Sequence, residues 1–547
     1  MLKPFDAGGS FRGATPVSEL RRVAVRSVGA TLLSGGMGLA IQIASTVVLA
    51  RLLTPQDFGL VTIVTTVSLL LMNFGLNGFT EAIVQREAIS HKLASNLFWI
   101  CVGGSILLSA VFALSGSLLA RFYGDSRISA VAQVMSLTIF LTGLSVVHLA
   151  LLKRAMRFTV VSANDVVARA FTVVVAIFLG WLGWGYWALV AGNLASAASS
   201  CIGGWAFCRW APSLPMRNPE TAPSVRFAVN TYGRFVTGYF SNNFDNFLVG
   251  WRLGAAPLGY YKKAFDLFVL PANQLSLGLT NVAVSALSRF QRDLVQYRRY
   301  FLSALGIMAF VGMGLSANLT LIGKDLIFVL LGAKWSASGR IFTLFGPGIG
   351  AMILYATHIW LHLSIGRADR WFRWGLVDML VTAVFLVVGL HWHAEGIAVA
   401  WVSAYWVITL PALWYAGRPI QLDIISVIKA IWRFLLAALA AGGGTFVALS
   451  LAPILVRAGG ASGALARMVC VSLFCTLAYL GIVILLHRGL GPVYQIAGLI
   501  REMASLRKAA DKEASDGISK SKEAVGLETM PQSQEHAPTS LLSQDES

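Results

Sequence analysis

The stretch VVLARLLTPQDFGLV, residues 47–61, ends one apolar run and begins the next through a short polar turn. A second stretch, NFLVGWRLGAAPLGYY at residues 246–261, repeats this order. In both, an Arg-Leu pair follows the first run and an apolar residue with glycine opens the second, at Gly59 and at Gly259. Self-similarity at a fixed offset, here about 200 residues, is the signature of a duplicated architecture. The sequence therefore predicts two related halves.

The composition is that of a membrane protein. Of the 547 residues, 56% are hydrophobic and 12% are charged, and the mean hydropathy is +0.70. Soluble proteins average about 25% charged residues. Runs of about 20 apolar residues, the length that crosses a bilayer, predict an all-α polytopic protein with about 14 transmembrane helices. Six crossings lie between the two repeated turns and return the chain to the same side, so we predict a parallel repeat around a central cavity.

The predicted segments follow from the apolar runs and from the polar character of the ends. They are a cytoplasmic N-terminal tail (1–27), an N-lobe of helices 1–6 (28–208), a C-lobe of helices 7–12 (227–416), two extra helices (430–486), an amphipathic stretch (490–510) and an acidic tail (511–547). The amphipathic stretch fits either a helix on the membrane surface or a solvated helix. The polar tail is typical of disorder.

The net charge of +18 indicates membrane orientation rather than nucleic-acid binding. With the N-terminus inside, the N-terminal tail and the even-numbered loops hold 22 Lys and Arg, and the odd-numbered loops hold seven. Such a bias marks cytoplasmic loops, so we predict that both termini are cytoplasmic. No basic block with interleaved aromatic residues occurs, as nucleic-acid binding would require. The five cysteines contain no CxxC pair, which excludes the usual metal and disulfide patterns.

Polar residues inside the seventh apolar run, residues 227–251, mark a candidate site. The run contains Arg234, Asn242, Asp245 and Asn246. An ionisable residue at bilayer depth usually faces a cavity or a partner because its burial in lipid is costly. Arg234 and Asp245 are eleven residues apart, about three helical turns, so they share a face. They fit either a polar cavity or a structural ion pair within the helix bundle.

The eighth run adds charges at its start. Lys262 and Asp266 have the spacing of an ion pair on one helix face, and Lys263 lies beside them. The lysines either line the cavity or extend toward the membrane interface. Asn273 and Gln274 follow in the same run and supply amide groups.

Two further pairs have helical i, i+4 spacing. Asn73 and Asn77 in the second run face either the cavity or a neighbouring helix, where they would form interhelical hydrogen bonds. His358 and His362 in the tenth run match a metal-binding spacing, but no third ligand is evident. We expect packing or hydrogen bonding there, and neither a metal nor a cofactor.

Seven motifs along the chain carry a family resemblance. They are LARLLTPQDFG (49–59), NFGLNGFTEAIVQRE (73–87), LARFYGD (119–125), LLKRAMRF (151–158), LGYYKKAFDLFVLPANQL (258–275), ALSRFQRD (286–293) and LLGAKW (330–335). Together they resemble the polysaccharide flippases of the Wzx type, in the branch of bacterial exopolysaccharide and colanic-acid exporters. This branch belongs to the multidrug/oligosaccharidyl-lipid/polysaccharide exporter superfamily. The resemblance implies two lobes around a cavity lined largely by helices 1, 2, 7 and 8.

The resemblance also implies a function. Such proteins move polyprenyl-pyrophosphate-linked oligosaccharide repeat units across the bacterial inner membrane for exopolysaccharide or lipopolysaccharide biosynthesis. A polymerase and chain-length or export proteins are the implied partners. On this interpretation Arg234, Lys262 and Lys263 attract the pyrophosphate, and the amides bind sugar hydroxyls.

Net transport needs an energy source. The candidates for carrying protons are Asp245, Asp266 and Asp378, which predicts cation-coupled alternating access. The main alternative is a drug or metabolite exporter of the same superfamily, since fold does not fix function. A polymerase or membrane glycosyltransferase is disfavoured because the predicted outer loops are short and no phosphate-binding glycine loop occurs. A membrane scaffold would not need charges at bilayer depth.

Overall fold

The computed structural model describes residues 4–11, 17–86, 88–451 and 459–491. Within these ranges the side chains of residues 17–34, Asn77, Arg234, Thr237, Ser241, 275–278, 281 and 282 are not described. The predicted acidic tail and nearly all of the amphipathic stretch at 490–510 lie outside the described residues.

The described chain is helical throughout, and it has no β-strand beyond two isolated bridges. The helices of the first half are α1 (Val17–Leu52), α2 (Pro55–Asn73), α3 (Thr80–Val84), α4 (His91–Tyr123), α5 (Arg127–Arg154), α6 (Phe158–Trp181) and α7 (Tyr186–Cys208). Those of the second half are α8 (Thr221–Leu253), α9 (Ala255–Arg289), α10 (Leu294–Leu331), α11 (Ser336–Phe345), α12 (Gly348–Ala356), α13 (His358–Ser364), α14 (Ala368–Gly389) and α15 (His393–Gly417). The last two are α16 (Ile424–Ser450) and α17 (Gly460–His487).

Many of these helices have the length and composition of membrane spans. Among the described residues, nine helical segments are long and apolar enough to cross a membrane, or ten if the bent pair Ala333–Phe345 and Gly348–Ser364 is one span. One of the nine, Ala368–Ile420, contains both α14 and α15. The prediction of an all-helical, multi-pass membrane protein is therefore confirmed, and the count of fourteen stays a prediction. Three other long helices, α7, α8 and α9, are not among these segments over the described residues. Helices α8 and α9 carry most of the polar residues predicted to form the substrate site.

The repeated turn has a local cause in each half. Before α2, the Thr54 side chain accepts a hydrogen bond from the Asp57 amide, and Asp57 accepts one from the Thr54 amide at 2.9 Å. This capping box satisfies helix-end donors, and Pro55 fits the first turn because it has no N–H to leave unpaired. Before α9, Gly254 adopts φ +86°, a conformation that glycine tolerates. Both turns thus start a helix with one sharp change of direction.

The two C-terminal helices pack against α10 and are fixed there by polar contacts. The Asp325 carboxylate on α10 pairs with Arg467 on α17 at 2.7 Å. About two turns earlier on α10, the Asn318 amide donates to the Ser472 carbonyl of α17 at 3.2 Å. These contacts hold α17 to α10 of the second half, and α16 packs against both helices.

Candidate functional site

The two halves touch at the repeated turns. A Cβ atom built on Gly59 would lie 1.7 Å from the carbonyl oxygen of Ala255, and one built on Gly259 would lie 1.8 Å from the carbonyl oxygen of Pro55. The contact is reciprocal, since each glycine of one half meets the turn of the other. Only glycine permits this approach, so α2 and α9 are in backbone contact where they cross.

Further contacts close the same end, which the charge pattern predicts to face the periplasm. The Trp335 indole donates to the Ala50 carbonyl at 2.8 Å. The Lys334 ammonium donates to the Arg51 carbonyl at 3.1 Å, and Arg51 donates to the Val329 carbonyl at 3.1 Å. The end of α1 is therefore held against the turn that follows α10.

A cavity of about 380 Å³ lies between the halves beside this closure. Its walls come from α1, α2, α6 and α7 of the first half and from α9 and α10 of the second. The polar lining consists mainly of Gln42, Thr46, Thr172, Asn193, Lys263 and Asp266. Ligand pockets range from about 300 to 1,000 Å³. In this closed form the cavity is therefore at the small end of that range, and it has room for a small polar group.

The charges at the cavity are unequally compensated. Lys262 pairs with Asp266 at 2.9 Å, as their spacing predicted. The Lys263 ammonium lies 4.1 Å from the centroid of the Phe58 ring, a cation–π contact, and it has no ion pair among the described residues. A cation–π contact attracts the ammonium to the ring but does not neutralise its charge. The cavity therefore presents one lysine that an anion can engage directly.

Asp245 lies elsewhere, in the interior of the second half. Its side chain is wholly buried, and its Oδ2 accepts a hydrogen bond from the Tyr261 hydroxyl at 2.5 Å. Its Oδ1 has no hydrogen-bond partner in the described part of the chain. Asn246 beside it is also buried, and its amide donates to Asn243 at 3.3 Å. Neither Asp245 nor Asn246 lines the cavity.

A line of aromatic side chains connects Asp245 with Asp378. In order, with ring centroids 5.5 to 5.8 Å apart, these are Tyr261, Phe265, Trp401, Tyr405 and Tyr355. The Tyr355 hydroxyl lies beside Asp378, which also accepts a hydrogen bond from Thr382 at 3.2 Å. Two of the three predicted proton carriers thus share one network inside the second half, while Asp266 belongs to the cavity.

The remaining predicted residues make local contacts or are exposed. Asn242 donates to the Gly238 carbonyl at 2.8 Å, and Asn73 donates to the Leu69 carbonyl at 2.7 Å, each within its own helix. Asn273 and Gln274 are exposed. The side chains of Arg234 and Asn77 lie outside the described residues, so the substrate role predicted for them stays a prediction.

Sequence reasoning missed several cavity residues. Gln42 and Thr46 on α1 and Asn193 on α7 line the cavity. The available signal was a lone amide in an otherwise apolar run. Such a residue equally suits an interhelical hydrogen bond, so it does not identify a cavity by itself.

His358 and His362 are buried, at 2% and 0% exposure. The described residues contain no group of three or more His, Cys, Asp or Glu side chains placed to hold a metal ion.

Comparisons with known proteins match most of the chain. The family described as polysaccharide biosynthesis protein matches residues 48–340. The succinoglycan biosynthesis transport protein ExoT of Rhizobium meliloti (strain 1021) is 22% identical over 438 residues, which are 77% of this chain and 88% of the relative. The lipopolysaccharide biosynthesis protein WzxC of Escherichia coli (strain K12) is 25% identical over 313 residues, 56% of this chain and 62% of the relative.

Solved structures show the same fold. The lipid II flippase MurJ in an inward closed conformation has a TM-score of 0.67 at 14% identity, covering 85% of this chain and 99% of MurJ. An inward-facing multidrug resistance transporter of the MATE family has a TM-score of 0.56 at 14% identity, covering 72% of this chain and 96% of the transporter. At this identity the likeness establishes the fold alone.

Proposed function

Since the chain belongs to the polysaccharide biosynthesis protein family, we propose that it flips polyprenyl-pyrophosphate-linked oligosaccharides across the bacterial inner membrane. The names of the relatives support this proposal, because one is a succinoglycan transport protein and another serves lipopolysaccharide biosynthesis. The observation that carries it is the polar cavity between the two halves, closed at one end and supplied with the uncompensated Lys263. On this proposal both termini are cytoplasmic.

The cavity chemistry suits the head of such a substrate. A pyrophosphate is anionic, and Lys263 offers a point charge to it, while Lys262 and Asp266 neutralise each other. Amide and hydroxyl side chains such as Gln42 and Thr46 can bind sugar hydroxyls. The polyprenyl tail needs no polar site and stays in the lipid. The closed cavity is small for a whole repeat unit, so the halves have to separate when the substrate enters.

The contact between the halves suits alternating access. Transporters with repeated halves expose a central site to either side by rocking one half against the other. Here Gly59 and Gly259 bring α2 and α9 together at one end. A contact between backbones forms and opens as a unit, because it has no long side chains to rearrange.

Coupling to protons is the energy source that the interior acids support. An ionised carboxylate is costly to bury, and Asp245 is wholly buried with one oxygen unpartnered. Taking up a proton removes that cost, so its protonation state is linked to how tightly the second half closes around it. An imposed pH gradient should therefore drive flipping in vesicles, and an unchanged rate would exclude this coupling.

The function is tested by complementation of a strain that lacks its own flippase. We expect Lys263→Gln to give no surface polysaccharide and to accumulate lipid-linked repeat units on the cytoplasmic face. The matched control is Lys429→Gln, at an exposed position on α16, which should restore polymer as the wild type does. Full polymer from Lys263→Gln at normal expression would remove the lysine from the substrate site. A wild type that alters only drug sensitivity would favour the alternative exporter.

A further inference from the structure

We infer that a proton path connects Asp378 with the predicted cytoplasmic surface through Tyr355, His358 and His362. This inference rests on the proton coupling proposed above and specifies its route. The three residues lie at the bend between α12 and α13, within the second half. The coupling proposed above places a proton on Asp245, which the line of aromatic side chains connects with Asp378, but it gives protons no way to reach this interior.

The two histidines form the middle of the path. His358 and His362 are one turn apart on α13, and their ring centroids are 5.8 Å apart. The ring of Tyr355 lies 4.4 Å from that of His358. His358 Nδ1 bonds to the Tyr355 carbonyl at 2.5 Å, so Nδ1 donates and Nε2 remains as the acceptor. Rings at these separations are close enough for one water molecule to bridge their polar atoms.

His362 is the unusual member of this group. It is wholly buried, and neither ring nitrogen has a hydrogen-bond partner among the described residues. A buried polar group without a partner destabilises a fold, so an apolar residue would serve packing better at this position. An imidazole with both nitrogens available can accept a proton on one and release the other, which a relay requires.

The charged and titratable groups around His362 come from the neighbouring helices. Asp369 and Arg370, from the start of α14, act on it electrostatically. The Tyr415 ring of α15 lies at 6.1 Å and carries the Arg370 guanidinium at 4.1 Å over its face. On its own helix it faces His358, which in turn contacts Tyr355 of α12, and the α9 residue bonded at the end of α13, Ser288, is neutral.

These neighbours have opposite effects on a proton at His362. The positive Arg370 repels it and the negative Asp369 attracts it, so the two charges partly offset each other. Asp369 lies at the exposed start of α14 and is held by Arg367 at 2.9 Å and Arg373 at 2.6 Å. The surface end of the path is therefore a charged cluster in contact with water.

The path moves protons only. A proton from the cytoplasmic side binds one nitrogen of His362 while the proton on the other nitrogen leaves toward His358. His358 receives it at Nε2 and delivers it to the Tyr355 hydroxyl, whose own proton passes to the Asp378 carboxylate. No electron moves, and the only bonds made and broken are those to protons. Trp374 holds the Tyr355 oxygen in place by donating to it at 3.1 Å.

The test measures proton flux in liposomes that contain the full chain and an internal pH-sensitive dye. The probe is lipid-linked repeat units extracted from the complementation strain. We expect His362→Ala to lower substrate-driven proton flux at least tenfold, and we expect added imidazole to restore it. His487→Ala on α17, whose ring stacks on Phe434, is the control and should keep the wild-type flux with or without imidazole.

Each outcome separates the path from the function. Two results overturn the path. One is full flux in His362→Ala. The other is a loss of flux that imidazole does not restore, in a variant that elutes from a sizing column as the wild type does. Flipping by the wild type without any proton flux overturns the coupling itself, and flipping as such then stands. If His362→Ala elutes as an aggregate, His362→Gln takes its place, because glutamine keeps the size and polarity but cannot carry a proton. Full flux in His362→Gln would again overturn the path.

Discussion

Replacing Gly59 with alanine should force α2 and α9 apart where the two halves touch. The new Cβ would lie 1.7 Å from the Ala255 carbonyl oxygen, whereas ordinary contact begins at 3.4 Å. The helices therefore have to separate by about 1.7 Å, because a backbone carbonyl has no rotamer by which to move aside. Overpacking of this kind costs about 1–3 kcal/mol. That energy lowers the population of the closed form about 5- to 150-fold relative to the open one.

The effect is measured by access to the cavity. A chain with its five cysteines replaced by serine receives a single cysteine at Thr46, which lines the cavity. A thiol reagent that does not cross membranes is then added outside the cells. We expect Gly59→Ala to raise the labelling rate at least fivefold and to lower polysaccharide export, because the end predicted to face the periplasm no longer closes fully.

The matched control is Gly306→Ala on α10, where an added Cβ would meet nothing within 4 Å. This variant should label at the parent rate and export normally. If Gly59→Ala is expressed normally but labels no faster than Gly306→Ala, then the glycine contact does not close this end. The two halves would then not alternate about the contact between α2 and α9.

The remaining predictions concern stability and coupling. Asp325→Asn weakens the partly exposed pair with Arg467 by about 1 kcal/mol, so the midpoint of thermal unfolding in detergent should fall by only about 1 °C. Hydrogen bonds from Arg127 lower the pKa of Asp125 below its ordinary 3.8. The stability that this shift gives is present above pH 3.8 and is lost as the pH falls through the lower pKa of the folded protein. Asp125→Asn should therefore make unfolding, followed by tryptophan fluorescence, less dependent on pH in the acid range. Tyr261→Phe removes a donor from the buried Asp245 carboxylate, so the maximal rate of gradient-driven flipping should fall.

The repeat in the sequence predicted which residues of the two halves correspond. Gly59 and Gly259 align in the turns, and the structure brings those same glycines into contact. Corresponding elements of two related halves meet near the axis that relates them, so a residue there packs against its own counterpart. The alignment did not indicate this contact by itself, because most aligned pairs lie far from such an axis.

Partners across helices were harder to predict. Helical periodicity placed Arg234 and Asp245 on one face, but the contact that the structure gives Asp245 is with Tyr261, on the next helix. Periodicity shows which residues share a face and does not show what covers that face. The tenth apolar run was predicted as one span, although Gly346, Pro347 and Gly348 mark the place where the structure bends it by 58°.

One turn of α9 connects the interior of the second half with the cavity. Tyr261 and Lys263 are two residues apart, about 200° around the helix, so they point to opposite sides. Tyr261 accordingly binds Asp245 in the interior, and Lys263 lines the cavity. Lys262 lies between them, and its charge interacts with both Asp245 and Asp266. On the proposed coupling, a proton on Asp245 would weaken its attraction for Lys262 and leave that lysine held by Asp266 on the cavity side. One turn of α9 would then carry the change from the interior to the cavity.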